Sequence, residues 1–124
     1  MTAALVVTVL VCGGVAAVLR YLVALWFAPD TRFPWAVLAV NVIGSALGGG
    51  VLAMGAGLPG DVQLILLTGV AGGLTTFSTF SVETVQLVLD GRARAAALNV
   101  GVNLGAGLAV TVLVYALVAS AFVP

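Results

Sequence analysis

The residues of this chain that could bind an ion are concentrated in one short stretch, 69–81. Adjacent glycines weaken an α-helix there, and serine and threonine side chains compete for its backbone hydrogen bonds. A helix that breaks in this stretch has free carbonyls at the end of its first half, which suit a cation, and free amides at the start of its second half, which suit an anion. Phe77 and Phe80 share a helix face there, and the edges of their rings attract an anion weakly. The stretch reads Gly69-Val70-Ala71-Gly72-Gly73-Leu74-Thr75-Thr76-Phe77-Ser78-Thr79-Phe80-Ser81.

The composition indicates that this stretch lies in a membrane. The chain has 124 residues, of which 63% are hydrophobic and only 6% charged, with no histidine and one cysteine. Soluble domains carry about 25% charged residues. A soluble enzyme and a nucleic-acid-binding protein are therefore excluded, and so are the common zinc and haem ligand sets. The sequence predicts an integral membrane protein that is not an enzyme.

Four apolar runs, each long enough to cross a bilayer of about 30 Å, predict an all-α integral membrane protein. Short polar turns separate the runs, with Pro34 starting the second helix, Asp61 as the N-cap of the third and Gly91 ending it. The runs lack the alternation of a β-barrel. We expect a single membrane domain, 1–124, with spans at about 3–27, 34–56, 62–89 and 95–121.

The third span is predicted to break near the membrane midplane. Residues 62–72 make a half-helix of roughly 16 Å, about half of the bilayer. Unwound backbone is tolerated there only if it is buried in protein or lines a wet cavity. The alternative is a glycine kink that serves only packing, as small residues four apart do between membrane helices. Such pairs occur at Gly44/Gly48, Gly69/Gly73 and Gly101/Gly105.

The charged side chains and the asparagines within the spans lie in one half of the membrane, on the side of the first and third turns. This placement predicts a polar vestibule that ends at the midplane, at Phe77 and Phe80, so a complete path needs a second, inverted copy and hence an antiparallel dimer. Purely structural interpretations remain open: the arginine can extend to the headgroups or pair with the acid at similar depth, and the amides can simply join neighbouring helices. The residues concerned are Arg20, Asn41, Glu83, Asn99 and Asn103.

Three motifs carry a resemblance to a known family. They are Gly13-Gly14 with Arg20-Tyr21, the segment Val40-Asn41-Val42-Ile43-Gly44-Ser45, and the stretch from Gly69 through Ser81-Val82-Glu83. Along nearly its whole length the chain resembles the CrcB/Fluc family of fluoride channels. The resemblance implies an antiparallel dual-topology-type dimer with two pores, which passively exports fluoride from the cytoplasm across the bacterial plasma membrane.

The resemblance also implies roles for particular residues. The rings of Phe77 and Phe80 would line the pore, Asn41 would lie on the same path, and Ser78 and Thr79 would line or support it. In span four, Asn103 and Thr111 would belong to a polar track. Backbone carbonyls of Gly72 and Thr75 would hold a structural sodium ion at the dimer interface, while Arg20 and Glu83 would belong to the vestibule.

Charges in the turns predict the orientation. Arg32, Arg92 and Arg94 lie on the same side as Arg20, and the positive-inside rule places this side in the cytoplasm. An antiparallel homodimer should have almost no such bias in charge, so the second subunit is expected to be either another copy of this chain or an oppositely oriented paralogue. The other expected partners are membrane lipid and fluoride. A small multidrug-resistance transporter is the main alternative, but it depends on an acid in span one, where this chain has Arg20. A purely structural four-helix subunit is the other alternative.

Overall fold

The computed structural model describes residues 1–27 and 33–122 and contains four helical spans. Helix α1 runs over Ala3–Trp26, α2 over Trp35–Met54 and a short 3₁₀ turn over Gly55–Gly57. The third span covers Gly60–Leu89, and the last, α6, covers Ala93–Phe122. All four are long and apolar enough to cross a membrane, which confirms the predicted fold class.

The third span is built from several pieces. It begins with α3, Gly60–Leu64, continues as a π-helix over Ile65–Ala71 and ends its first half with α4, Gly72–Leu74. Thr75 and Thr76 are extended, with ψ angles of 156° and 119°. The second half, α5, covers Phe77–Leu89. The third span is therefore broken, as predicted.

The break lies at Thr75 and Thr76, three residues beyond the end of the predicted half-helix. Gly72 and Gly73 both stay helical, and the missing Cβ of Gly73 allows close packing: a Cβ there would meet the backbone of Gly13 and the Cβ of Ala16 in α1. Thr76 supplies instead the local signal for a new helix, since its hydroxyl accepts a hydrogen bond from the backbone N–H of Thr79 at 3.1 Å.

Two helix pairs form the bundle: α1 packs along the first half of the third span, and α2 packs along α6. The spacing of Gly69 and Gly73 serves the first pair, since a Cβ on Gly69 would lie 3.1 Å from the carbonyl oxygen of Val9. The equivalent pair in α6 is different, because added Cβ atoms on Gly101 and Gly105 would meet nothing within 4 Å. That pair leaves an open strip of helix surface on the single chain.

Gly91 ends the third span, as predicted. Gly91 has a φ of +73°, and the N–H groups of Gly91 and Arg92 donate to the carbonyls of Val88 and Leu87 at 3.0 and 2.8 Å, the Schellman pattern. Asp61 is not the N-cap predicted for the third span, because α3 already begins at Gly60 and places Asp61 in its first turn. The polar turn predicted at 28–33 lies, except for Phe33, outside the described residues, and Arg32 lies outside them too.

The bundle has an apolar exterior and a partly polar interior. Large apolar side chains on every span are exposed, as expected for surfaces that meet lipid. Among the described residues, the buried polar side chains are Thr76, Asn99 and Asn103, and Asn99 has no exposed surface at all. Buried polar groups must find partners inside the protein, so these side chains lead directly to the site.

Candidate ion-binding site at the helix break

Asn41 of α2 holds the backbone at the break. Its Oδ1 accepts a hydrogen bond from the N–H of Thr76 at 2.8 Å, and its Nδ2 donates to the carbonyl oxygen of Thr76 at 3.3 Å. One side-chain amide thus replaces the backbone partners that Thr76 loses where the helix stops. The break is stabilised by a neighbouring helix rather than by glycine alone, as irregular backbone at membrane depth requires.

A groove of about 260 Å³ lies beside the break, between α2, α5 and α6. The rings of Phe77 and Phe80 border it, with centroids 5.9 Å apart and planes tilted by 44°. Phe77 is 80% exposed on the single chain and lies next to the polar side chains of the break. The groove brings together five predicted site residues with three others; its walls are Asn41, Ser45, Thr75, Thr76, Phe77, Phe80, Asn103 and Leu104.

The side-chain amide hydrogens in this groove are all used inside the protein. The second hydrogen of Asn41 Nδ2 goes to Asn103 Oδ1 at 3.0 Å. Asn103 Nδ2 in turn donates to Oδ1 and to the carbonyl oxygen of Asn99, at 2.8 and 3.1 Å. The hydroxyl of Ser45, in contrast, donates to no other described residue. Among the side chains of the groove, the donors that remain free are the Ser45 hydroxyl and the ring edges of Phe77 and Phe80.

A second cavity, of about 250 Å³, lies on the α1 side of the break and contains Arg20, Thr79 and Glu83 in its walls. It shares Glu83 with a third cavity of about 370 Å³, which extends to the ends of α1 and α5. We call these two cavities the vestibule; of the residues predicted for it, Arg20 and Glu83 lie in its walls, whereas Asn41, Asn99 and Asn103 do not. The vestibule reaches Thr76 and Thr79 and does not end at Phe77 and Phe80 as predicted, because these rings lie in the separate groove.

Arg20 and Glu83 line this vestibule without pairing with each other. The Nη1 of Arg20 donates to the carbonyl oxygen of Thr75 at 2.9 Å, so the guanidinium lies at the helix break. Glu83 has one carboxyl oxygen, Oε2, that is buried and has no hydrogen-bond partner. The interpretation of the two residues as a mutually neutralising ion pair therefore does not hold.

Three other predicted site residues lie near the groove but not in its walls. Ser78 is exposed, with its hydroxyl 3.4 Å from that of Thr76, and Thr79 receives a hydrogen bond from the Thr76 hydroxyl at 3.0 Å. Thr111 donates to the carbonyl oxygens of Gly107 and Ser45, at 2.9 and 3.2 Å, and so joins α6 to α2. In the single chain these hydroxyls support the break and the helix packing.

The carbonyls of Gly72 and Thr75 have the chemistry that a cation needs. In a continuous α-helix the N–H of Thr76 would donate to the carbonyl of Gly72, but it donates to Asn41 instead. Gly72 is exposed, and its carbonyl is left without a helical donor. The carbonyl of Thr75 accepts one hydrogen bond from Arg20 and keeps its second lone pair. Both oxygens could therefore serve as ligands of a monovalent cation that needs further ligands to complete its shell.

Ser45 and Thr84 were not among the site residues predicted from the sequence. Ser45 is four residues after Asn41, a spacing that places both on one face of α2 and that was visible in the sequence. Thr84 accepts a hydrogen bond from Asn99 Nδ2 at 2.9 Å and donates to the carbonyl of Phe80 at 2.7 Å. The contact between α5 and α6 that brings Thr84 to Asn99 has no signal in the sequence.

Comparison with known proteins agrees with the motifs. The sequence model of the family described as CrcB-like protein, Camphor Resistance (CrcB), matches residues 7–115. A relative from Variovorax paradoxus (strain S110), named Fluoride-specific ion channel FluC, is 42% identical over 107 residues, 82% of this chain and 85% of its own. Another of that name, from Shewanella halifaxensis (strain HAW-EB4), is 40% identical over 114 residues, 89% of this chain and 92% of its own. A multi-pass membrane protein of bacteria, the chain belongs to the CrcB family.

Proposed function

We propose that this protein is a fluoride-selective channel through which fluoride leaves the cytoplasm passively across the bacterial plasma membrane. The groove between Asn41, Asn103 and the two phenylalanines is the observation that carries the proposal. The names of the relatives, which are those of a channel and not of an enzyme, support it. Hydrogen fluoride crosses membranes and dissociates inside, so a passive exit driven by the negative interior is sufficient.

The free donors of the groove suit a small anion that must move on. Fluoride is strongly hydrated, so a conducting path has to replace water without holding the ion. Ring edges of Phe77 and Phe80 carry partial positive charge, and the hydroxyl of Ser45 adds one stronger donor. Because the amide hydrogens of Asn41 and Asn103 are used internally, the groove offers several weak contacts and no fully charged ligand. Weak sites are what conduction requires.

A second, inverted copy would complete the path on the other side of the membrane. The vestibule reaches the break from one side only, and Phe77 is exposed where a partner could cover it. The open strip at Gly101 and Gly105 offers a face for close helix packing. An antiparallel dimer of this kind has two grooves and hence two pores.

A structural sodium ion would lie where two helix breaks meet. The residues that would hold it are Gly72 and Thr75, through backbone carbonyls contributed by both copies. When bound, the ion supplies a fixed positive charge near the grooves. Within each chain, Asn41 keeps the N–H of Thr76 away from the carbonyl of Gly72 and so leaves that oxygen available.

Fluoride efflux from liposomes tests the channel proposal. Purified protein is reconstituted into vesicles loaded with potassium fluoride, valinomycin is added, and a fluoride electrode records the efflux. We expect fast efflux of fluoride and none of chloride in matched vesicles. Efflux equal to that of protein-free vesicles, or equal rates for the two ions, would contradict the proposal.

The dimer is tested by the location of its termini. A Thr2→Cys, Cys12→Ser variant has a single cysteine near the N-terminus, and a membrane-impermeant maleimide is applied to spheroplasts that express it alone. An antiparallel homodimer labels to about half of the level reached after permeabilisation. Complete or absent labelling, together with no fluoride efflux from the single gene product, would point to an oppositely oriented paralogue as the partner.

A further inference from the structure

Three asparagines of this chain form one continuous hydrogen-bonded series inside the bundle. Asn99 Nδ2 donates to the hydroxyl of Thr84 at 2.9 Å, and Asn103 Nδ2 donates to Asn99 Oδ1 at 2.8 Å. Asn41 Nδ2 donates to Asn103 Oδ1 at 3.0 Å. Asn99 and Asn103 are buried, at 0% and 8% exposed, although α6 is otherwise an apolar membrane helix. Burial of two amides in such a helix needs an explanation.

The series has a fixed direction, because both of its ends are backbone groups. One end is the N–H of Thr76, which can only donate and which donates to Asn41 Oδ1 at 2.8 Å. The other end is the carbonyl of Phe80, which can only accept and which accepts from the Thr84 hydroxyl at 2.7 Å. Every donor along the series therefore points the same way, from Thr76 through Asn41, Asn103, Asn99 and Thr84 to Phe80.

This direction sets the orientation of every amide in the series. Each amide accepts through its oxygen from the preceding group and donates through its nitrogen to the next. Turning one amide around would oppose nitrogen to nitrogen and oxygen to oxygen, leaving buried groups unpaired. Hydrogen bonds in such a series also strengthen one another in a surrounding of low dielectric constant.

We propose that Asn99 and Thr84 are positioning residues, which act on the break and on Phe80 through this series without lining the groove. Thr84 orients Asn99, Asn99 orients Asn103, and Asn103 leaves Asn41 only the orientation in which Oδ1 meets the N–H of Thr76. Since the series leaves from Thr76 and returns to Phe80, it closes a loop around the first turn of α5, which carries both groove aromatics. Its effect on ion flow rests on the proposed channel function, whereas its effect on the amides does not.

The asparagine side chains offer a direct readout, because the whole sequence contains only Asn41, Asn99 and Asn103. Protein labelled with ¹⁵N in asparagine side chains shows only the resonances of the series in nuclear magnetic resonance spectra of the detergent-solubilised protein. In the wild type we expect both amide hydrogens of Asn41 to exchange slowly with solvent. Fast exchange of both would overturn the proposal without any variant.

Thr84→Val removes the hydroxyl while preserving the shape of the side chain, and Thr84→Ser restores the hydroxyl. We expect Thr84→Val to shift the resonances of Asn41, two amides away, and to lower fluoride efflux about tenfold, as for a loss of 1.4 kcal/mol. Thr84→Ser should return both toward wild type. Thr8→Val is the matched control, since the hydroxyl of Thr8 donates to Ala4 within its own helix, outside the series.

The outcomes separate the two proposals. The positioning role would be overturned if Thr84→Val shifted only the resonances of Asn99 and gave the same fluoride efflux as the Thr8→Val control. Absence of fluoride efflux from the wild type would defeat the channel function, while the resonances of Asn41 would still decide whether the series orients its amide.

Discussion

The guanidinium of Arg20 lies 2.9 Å from the carbonyl oxygen of Thr75 and so joins α1 to the helix break. A charged donor thus meets the negative end of the first half-helix of the third span, where free carbonyls accumulate. An arginine at this depth could have extended to the lipid headgroups or paired with Glu83. Its position instead brings positive charge to the point where the proposed path crosses from vestibule to groove.

Removal of this charge should impair the protein. We expect Arg20→Gln to lower fluoride efflux from liposomes about tenfold and to reduce stability by roughly 1.5–3 kcal/mol, the contribution of a hydrogen bond to a charged group. Arg20→Lys, which keeps the charge and one donor, should retain more of both. Efflux rates and thermal unfolding in detergent measure the effects. Equal losses in the two variants would show that the charge itself is unimportant.

Removal of sodium should weaken the dimer if the carbonyls of Gly72 and Thr75 hold the ion. We expect the thermal midpoint of the solubilised protein to fall when sodium chloride is replaced by N-methylglucamine chloride at the same ionic strength, because binding to the folded state stabilises it. Lithium and potassium in place of sodium serve as controls for size selectivity. A midpoint that is the same with all cations would contradict a sodium site.

Loss of an aromatic edge should reduce fluoride flow. Phe80→Ile keeps an apolar side chain but removes the ring, and aromatic contacts of this kind contribute about 1 kcal/mol each, so we expect efflux to fall roughly fivefold or more. Phe122→Ile is a matched control at an exposed aromatic residue near the end of α6. The two variants are compared by fluoride electrode at equal protein density. Similar rates for both would remove Phe80 from the path.

Packing of α1 against the third span should depend on Gly73. A Cβ there would meet the backbone of Gly13 and the Cβ of Ala16, so Gly73→Ala should destabilise the protein by about 1–3 kcal/mol, as overpacked cores do. Gly14→Ala is the matched control, since nothing lies within 4 Å of its added Cβ. The helix preference of alanine should make that variant neutral or slightly more stable. Thermal unfolding distinguishes the two, and equal midpoints would contradict the packing argument.

The four spans were predictable because hydropathy and the spacing of charges report directly on membrane crossing. The break was predictable from the density of glycine and hydroxyl residues, but its position was not. Thr76 leaves the helix because Asn41, 35 residues earlier, pairs with both of its backbone groups, and no local pattern encodes that partner.

The residues of the candidate site were also predictable only in part. The resemblance indicated Phe77, Phe80, Asn41 and Asn103, which the structure brings together. The hydrogen bond of Arg20 to Thr75 and the lack of a partner at Glu83 Oε2 could not be read from the depth of the two residues, because depth fixes height in the membrane and not the direction in which a side chain points. Thr84 and Asn99 meet only through the packing of α5 on α6.

The π-helical segment Ile65–Ala71 makes the third span tolerant of a one-residue change in its length. A π-helical turn holds more residues than an α-helical one, so the segment behaves as an α-helix with an inserted residue. Deleting one residue there would allow a regular α-helix to form while the positions on either side keep their faces, whereas the same deletion in a regular α-helix rotates everything that follows by about 100°. Thr75 would then still face Arg20. Alignments of related chains that place a one-residue gap in this segment would therefore join positions that face the same side of the bundle.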